Sequence, residues 1–335
     1  MGKPHMADQR QGRCYLPMLN ETDRRIAAVL MASPRASWRT VAEVLDLSER
    51  TIVRRAAPLL HDGTLRPTAV RNPARFPRIV PMVLRIHCRP KRIKAIAAGL
   101  ARRPDTIWVD VLGGGTEISS VLFLDGAEAR NTLLLRDLPA TADVLSWDAY
   151  DLMKVFPAGF AWSGGLLSPQ EFETLASFTH DPVPPPQIQP FDEALIDHLA
   201  ANARAGYNEL ATALDSSAST VRRRLETLLA SHMLRLACEV DLAQLGIATE
   251  ALLWIATGPA ALEQAGTTLS RHPQVRFTAA TTGSANLLVA VAAENLDALY
   301  TFLTMTVGAL DDLRSLEVTP ILTSVKRTGR TRPVP

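Results

Sequence analysis

The chain has 335 residues, 47% apolar and 21% charged, enough for two to four ordinary domains. No apolar run approaches the roughly 20 residues a membrane helix needs, and residues 1–14 lack the apolar core of a signal peptide. The net charge of +2 hides an asymmetry: residues 1–156 carry 24 Lys and Arg against 16 Asp and Glu, a net of +8, and residues 157–335 carry 12 against 18, a net of −6. The basic first part is the expected footprint for a polyanion. Three distant cysteines, Cys14, Cys88 and Cys238, fit neither a disulfide framework nor a metal site, which points to a reducing cytoplasm.

Residues 1–18 read as disordered. Asn20–Met31 places Ile26, Val29 and Leu30 at helical spacing behind an acidic first turn. Trp38–Leu45 is a second short amphipathic helix, and after the tight Asp46-Leu47 link Ser48 is a good N-cap for a third, running to Asp62. On that helix Arg50, Thr51, Arg54 and Arg55 share one broad side, opposite Ile52, Leu59 and Leu60. Two helices joined this closely, the second capped by Ser and rich in Arg, read as a helix-turn-helix. Pro58 falls inside the third helix and predicts a kink beyond the arginines.

A basic connector, Arg66–Arg78, precedes a change of period. Strand Val80–Cys88, helix Lys91–Arg102, strand Thr106–Leu112, a glycine break at Gly113–Gly115, strand Glu117–Leu124, helix Ala127–Arg136 and strand Asp143–Phe156 follow. This β-α-β-β-α-β order is the ferredoxin-like plan, an antiparallel sheet with helices on one face. Residues 157–190 form a linker with a short helix over Pro169–Phe178 and a stiff spacer, Asp181–Pro186.

The chain then repeats itself. Displaced by 169 residues, DLSERTIVRR (46–55) falls on DSSASTVRRR (215–224) without a gap, and Leu65, Arg66, Ile86, Pro90, Arg102, Pro104 and Gly114 find identical residues at the same offset. A solvated arginine face has no reason to recur in register over more than a hundred residues, so a duplicated two-domain unit is expected. The second copy reads as helices Phe191–Ala203, Tyr207–Leu214 and Ser217–Ser231. Strand Glu250–Thr257, helix Ala260–Arg271, strands Val275–Thr282 and Asn286–Ala293, helix Leu296–Val307 and strand Leu313–Lys326 complete it. A basic, loose tail spans 328–335.

The fold expected is therefore α+β, with two winged-helix-like three-helix domains (19–66 and 191–235), each followed by a βαββαβ domain (79–156 and 248–327). The two βαββαβ units are expected to pack as an internal pseudo-dimer whose remaining sheet edges and apolar faces bring chains together as dimers or tetramers. The second recognition helix offers Ser219, Thr220, Arg222, Arg223 and Arg224. Because Arg50 becomes Ser219 and Val53 becomes Arg222, the two helices are expected to read unequal half-sites of double-stranded DNA.

This arrangement resembles the Lrp/AsnC, or feast–famine, family of prokaryotic regulators. The match is carried by Thr22-Asp23 and Phe191-Asp192, the Asp-x-Ser…Thr-[IV]-x-Arg-Arg helix, His272–Val275, the Thr282-Gly283-x-x-Asn286 loop and the closing strand Thr319–Lys326. The resemblance implies a βαββαβ domain that mediates assembly and binds small effectors, commonly amino acids. It places the effector at Gly113, Gly114, Gly115, Thr116 and Glu117 and at Gly283, Ser284 and Asn286. There the loop backbone would hold a carboxylate, and the residue three after the glycine an ammonium. Glu117 keeps the family's negative charge and Asn286 loses it, so the first loop is the expected site. Tight turns between antiparallel strands would account for the same glycines.

A branch similar to the same family decarboxylates sirohaem, with basic and His residues in the strand after the first βαβ helix. Here Ile107–Gly115 and Arg276–Ser284 hold one Arg and no His. The reading is thus a cytoplasmic transcriptional regulator and not an enzyme. It calls for no catalytic residue, metal or cofactor; the scattered histidines His61, His87, His180, His198, His232 and His272 have no repeated partner.

Overall fold

A computed structural model describes residues 18–156, 162–176 and 184–332 of the chain. Residues 1–17, 157–161, 177–183 and 333–335 lie outside the described residues, and with them most of the N-terminal segment read as disordered, the end of the linker helix and the start of the spacer.

The first head is α1 (Glu21–Ala32), α2 (Trp38–Leu45) and α3 (Glu49–His61). Each starts on a side-chain cap: Asn20, Ser37 and Ser48 accept from the backbone N–H three residues on. The α2–α3 turn is closed by Asp46 in the left-handed region (φ 52°), where Asp is tolerated because its short polar side chain suits that conformation. Pro58 sits inside α3, which nonetheless continues to His61.

The basic connector opens with a strand, β1 (Arg66–Arg71). β2 (Ile79–Cys88), α4 (Ile93–Arg102), β3 (Thr106–Leu112), β4 (Glu117–Asp125), α5 (Gly126–Thr132) and β5 (Val144–Val155) follow. The linker carries α6 (Pro169–Ala176). The second head is α7 (Pro190–Ala201), α8 (Tyr207–Ala213) and α9 (Ala218–Ala230), again with an Asp, Asp215 (φ 46°), in the turn. Next come β6 (Leu234–Glu239), β7 (Thr249–Thr257), α10 (Leu262–Ser270), β8 (Val275–Thr281), β9 (Leu287–Ala293), α11 (Leu296–Phe302), β10 (Leu313–Arg327) and β11 (Arg330–Thr331).

The structure departs from the sequence reading chiefly in how the two halves meet. The strand after each third helix is not a wing of its own head. β1 and β6 pair with each other, Arg66 opposite Glu239 through Arg71 opposite Leu234. Ala69 of β1 lies in the core of the second head, while Cys238, Val240, Leu242 and Ile247 complete the core of the first. Neither head can bury its apolar face without the other half of the chain.

Nor do the sheets keep free edges where the two halves meet. β5 and β10, at 12 and 15 residues, are long enough to cross between them. β5 pairs with β2 and then, at Leu152–Val155, with β8. β10 pairs with β7 over Leu313–Pro320 and with β3 over Ile321–Lys326. The order β10-β3-β4-β2-β5-β8-β9-β7, with β7 returning to β10, closes an eight-stranded barrel, a size whose interior side chains alone can fill. Val83, Leu112, Trp254, Phe277 and Leu288 fill it, and the helices bury their apolar stripes on the outside. Of the tail read as loose, residues 328–332 are tied down: β11 pairs with β10 and Arg332 bonds Glu239. Leu135, Leu296, Tyr300 and Met305 remain exposed on the outer helices. No helix among the described residues is long and apolar enough to cross a membrane.

Candidate nucleic-acid interface and effector loops

The N-caps that start α3 and α9 also shape their first turns. The Ser48 hydroxyl accepts from the Thr51 N–H at 3.2 Å and lies 2.8 Å from the Thr51 hydroxyl. Ser217 does the same for Thr220, and its hydroxyl also meets that of Ser219 at 2.9 Å. Beyond these turns α3 presents Arg50, Val53 and Arg54 to solvent, and α9 presents Ser219, Arg222 and Arg223. Arg50, Arg54 and Arg223 make no side-chain hydrogen bond or ion pair among the described residues, and Arg222 has only its helical neighbour Glu226 at 2.8 Å. Exposed guanidiniums near the start of a capped helix are what a phosphate or a guanine edge needs.

Arg55 and Arg224, read from sequence as part of the same face, turn inward instead. Arg55 donates to Asp23 at 3.1 Å and to Asn20 at 3.4 Å. Arg224 donates through Nε to Asp192 at 2.7 Å, and its Nη2 also bonds that carboxylate, which is fully buried. Each arginine ties its recognition helix to the entry of the first helix of its head. Their signal was present in the sequence, since Asp23 and Asp192 also stand 169 residues apart.

Sequence reasoning missed a second repeated pair. Arg35 and Arg204, in the turn after the first helix of each head, cross to the opposite head. Arg35 donates to the carbonyls of Ala203 and Ala205 and lies over Tyr207, 5.1 Å from the ring centre. Arg204 donates to those of Pro34 and Ala36 and lies over Trp38 at 4.0 Å. Burial and the nearness of Arg35 lower the Arg204 pKa to about 10. The contacts are reciprocal, so the two heads are clamped in one mutual position.

The glycine loops are more committed than their sequence implied. The Gly113 N–H donates to Pro320 and that of Gly115 to Leu112, so neither awaits a ligand carboxylate. Glu117 accepts from Arg85 Nε at 2.5 Å; Arg85 in turn holds Glu317 through two bonds and lies over Trp254 at 4.7 Å. The expected unpaired carboxylate is therefore an ion pair. In the second loop Asn286 uses both ends of its amide on the backbone of Thr257, at 3.0 and 2.8 Å. Gly283 (φ +96°) has Tyr150 in the space a Cβ would occupy, and Ser284 is exposed. His272 packs on Phe302 and accepts from the Gln274 N–H.

The model of the AsnC-type helix-turn-helix domain matches residues 19–60 and again 190–229, and that of the Lrp/AsnC ligand binding domain matches residues 250–331. The chain belongs to the Lrp/AsnC family. An uncharacterized HTH-type transcriptional regulator of Pyrococcus abyssi is 29% identical over 147 residues, 44% of this chain and 92% of that protein. One of Pyrococcus horikoshii is 27% identical over the same length and shares. Among solved structures, the siroheme decarboxylase NirDL matches 92% of this Lrp/AsnC chain and 93% of its own with a TM-score of 0.58, at 11% identity. That likeness shows a shared fold. The matched domains are those of Lrp/AsnC-type regulators, and both relatives are named as HTH-type transcriptional regulators.

Proposed function

We propose that the chain is a fused pair of Lrp/AsnC units acting as a two-headed regulator, in which α3 and α9 read the unequal halves of one DNA site. The units are 19–66 with 79–156 and 191–235 with 248–327. The observation that carries this reading is the reciprocal Arg35–Arg204 clamp, which holds two heads with different exposed residues in a fixed relation. Arg50 and Arg54 belong to the basic part of the chain, and the first head supplies most of the affinity. Against a fragment recovered by genomic pull-down, Arg50→Ala with Arg54→Ala is expected to weaken binding at least tenfold. The salt dependence should flatten by about one unit for each phosphate no longer reached. Arg222→Ala with Arg223→Ala does less. A gel-shift titration in which neither pair matters would overturn the reading; a larger loss from the second pair would reverse the ranking.

The family resemblance supports an amino-acid-like effector, and the first loop is the better receiver. Asn286 is engaged with Thr257, whereas an incoming ammonium can exchange with Arg85 for Glu117 while Arg85 keeps Glu317. With an amino acid found by thermal-shift screening, Glu117→Gln is expected to weaken binding at least fivefold in calorimetry, and Asn286→Ala to do less. The opposite order would remove the first loop as the receiver.

The whole-chain likeness to NirDL supports a second reading, tetrapyrrole decarboxylation. Titration with sirohaem separates the two: a saturable, stoichiometric Soret change with release of carbon dioxide favours the enzyme.

A further inference from the structure

Between the mouth of the barrel and the β1–β6 ribbon lies a cavity of about 120 Å³. Its floor is the barrel wall: Ile107 and Trp108 of β3, Phe123 of β4, Val155 of β5 and Phe277 of β8. Its roof is the ribbon, Leu236–Val240 with Val70–Asn72. Trp108 and Phe277 meet edge-on at 4.8 Å, which leaves an aromatic wall on the barrel side. An apolar cavity of ~150 Å³ takes up benzene, so this space suits one six-membered ring or a branched chain of similar bulk.

Its polar groups are few and mostly of one sign. Arg235 reaches it from the ribbon and Arg276 from β8, and Arg71 lies at the rim. The one acidic side chain among the described lining residues, Glu239, is already engaged by Arg332 and by the Thr328 hydroxyl. Arg276 gives Nη1 to Glu250 at 2.8 Å, but its Nε–H is buried with no acceptor among the described residues. A buried N–H left unbonded is unfavourable, and an anion beside it would satisfy both hydrogen bonding and charge. Burial and the neighbouring Arg75 lower the Arg235 pKa to about 9, and burial with Arg327 lowers that of Arg276 to about 10. Arg276 is thus a buried cation beside the cavity with a donor to spare.

We propose that this cavity binds a small monocarboxylate with an aromatic or branched apolar body, its carboxylate on Arg276 and its body against Trp108 and Phe277. The site is separate from the glycine loops, whose residues do not line it. Its regulatory consequence rests on the two-headed reading: the occupant sits at the joint between the barrel and the ribbon that completes both heads, so binding there shifts DNA affinity.

Calorimetry with phenylacetate, benzoate and 3-methylbutanoate tests the site without DNA. At least one of the three is expected to bind with a Kd below ~1 mM, and phenylacetamide, which lacks the charge, at least tenfold more weakly than phenylacetate. Leu236→Trp, which fills the space from the ribbon side, abolishes binding. Arg276→Lys keeps a cation for Glu250, loses the planar fork, and weakens binding at least tenfold with the melting profile retained. No binding by any of the three, or binding indifferent to both variants, overturns the proposal. In a gel shift the bound carboxylate changes DNA affinity at least fivefold. Binding in calorimetry with DNA affinity unmoved upholds the site and removes the regulatory consequence. Failure to bind DNA at all counts against the two-headed reading and leaves the calorimetric result standing.

Discussion

Arg224→Ala is expected to lower the stability of the second head by about 3–5 kcal/mol, while Arg223→Ala, one residue earlier, stays within about 0.5 kcal/mol of the parent. Asp192 is fully buried and its charge is balanced by Arg224 alone among the described cations; its other bond is from the Gln189 N–H at the start of α7. Removing the guanidinium leaves a buried carboxylate with one backbone donor, and an uncompensated buried charge is among the more destabilising lesions a core can suffer. The first head is milder. Arg55 and Asp23 are 35% and 15% exposed, so Arg55→Ala is expected to lose roughly 1 kcal/mol. Urea titrations followed by circular dichroism measure all three. Asp192→Asn combined with Arg224→Ala should recover much of the loss, because it removes the stranded charge; equal losses at Arg223 and Arg224 would contradict the assignment.

The second large effect concerns the heads together. Arg35→Ala with Arg204→Ala removes the carbonyl hydrogen bonds and the cation–aromatic stacking that join them. Two linked binding elements gain affinity from their linkage only when their geometry matches both targets at once. Unclamped, the heads keep their own DNA-facing residues and lose their fixed spacing. Affinity for a two-half-site fragment is expected to fall at least tenfold, affinity for an isolated half-site to stay the same, and the penalty for inserting base pairs between the halves to shrink. Fluorescence anisotropy on the three DNAs measures this; an equal loss on the isolated half-site would place both arginines in DNA binding instead of clamping.

Most element boundaries were legible because they are written locally, in caps, apolar periods and turn residues. Ser48 and Ser217 begin their helices where the sequence put them, and Asp46 and Asp215 occupy the αL turn between helices. The repeat at an offset of 169 made the second half readable from the first. What stayed hidden was contact between the halves. β1 reads as a basic connector because its partner lies more than 160 residues away, and closure of the barrel depends on the lengths of β5 and β10, not on their composition.

The same limit applied to the site. A run of arginines on a helix does not say which of them turn inward, and Arg55 and Arg224 separate from Arg54 and Arg223 only once Asp23 and Asp192 are in place. Glu117 looked available because Arg85 belongs to the neighbouring strand. The cavity under the ribbon has no sequence signature of its own, since its walls come from both halves of the chain.

Hydroxyl-radical footprinting of the native chain on its recovered DNA tests the central claim most directly. One chain with two clamped, unequal heads predicts two protected half-sites at one fixed separation, with Arg50→Ala and Arg54→Ala erasing one of them and Arg222→Ala and Arg223→Ala erasing the other. A single protected half-site, or two that both vanish with the first pair and ignore the second, would contradict it.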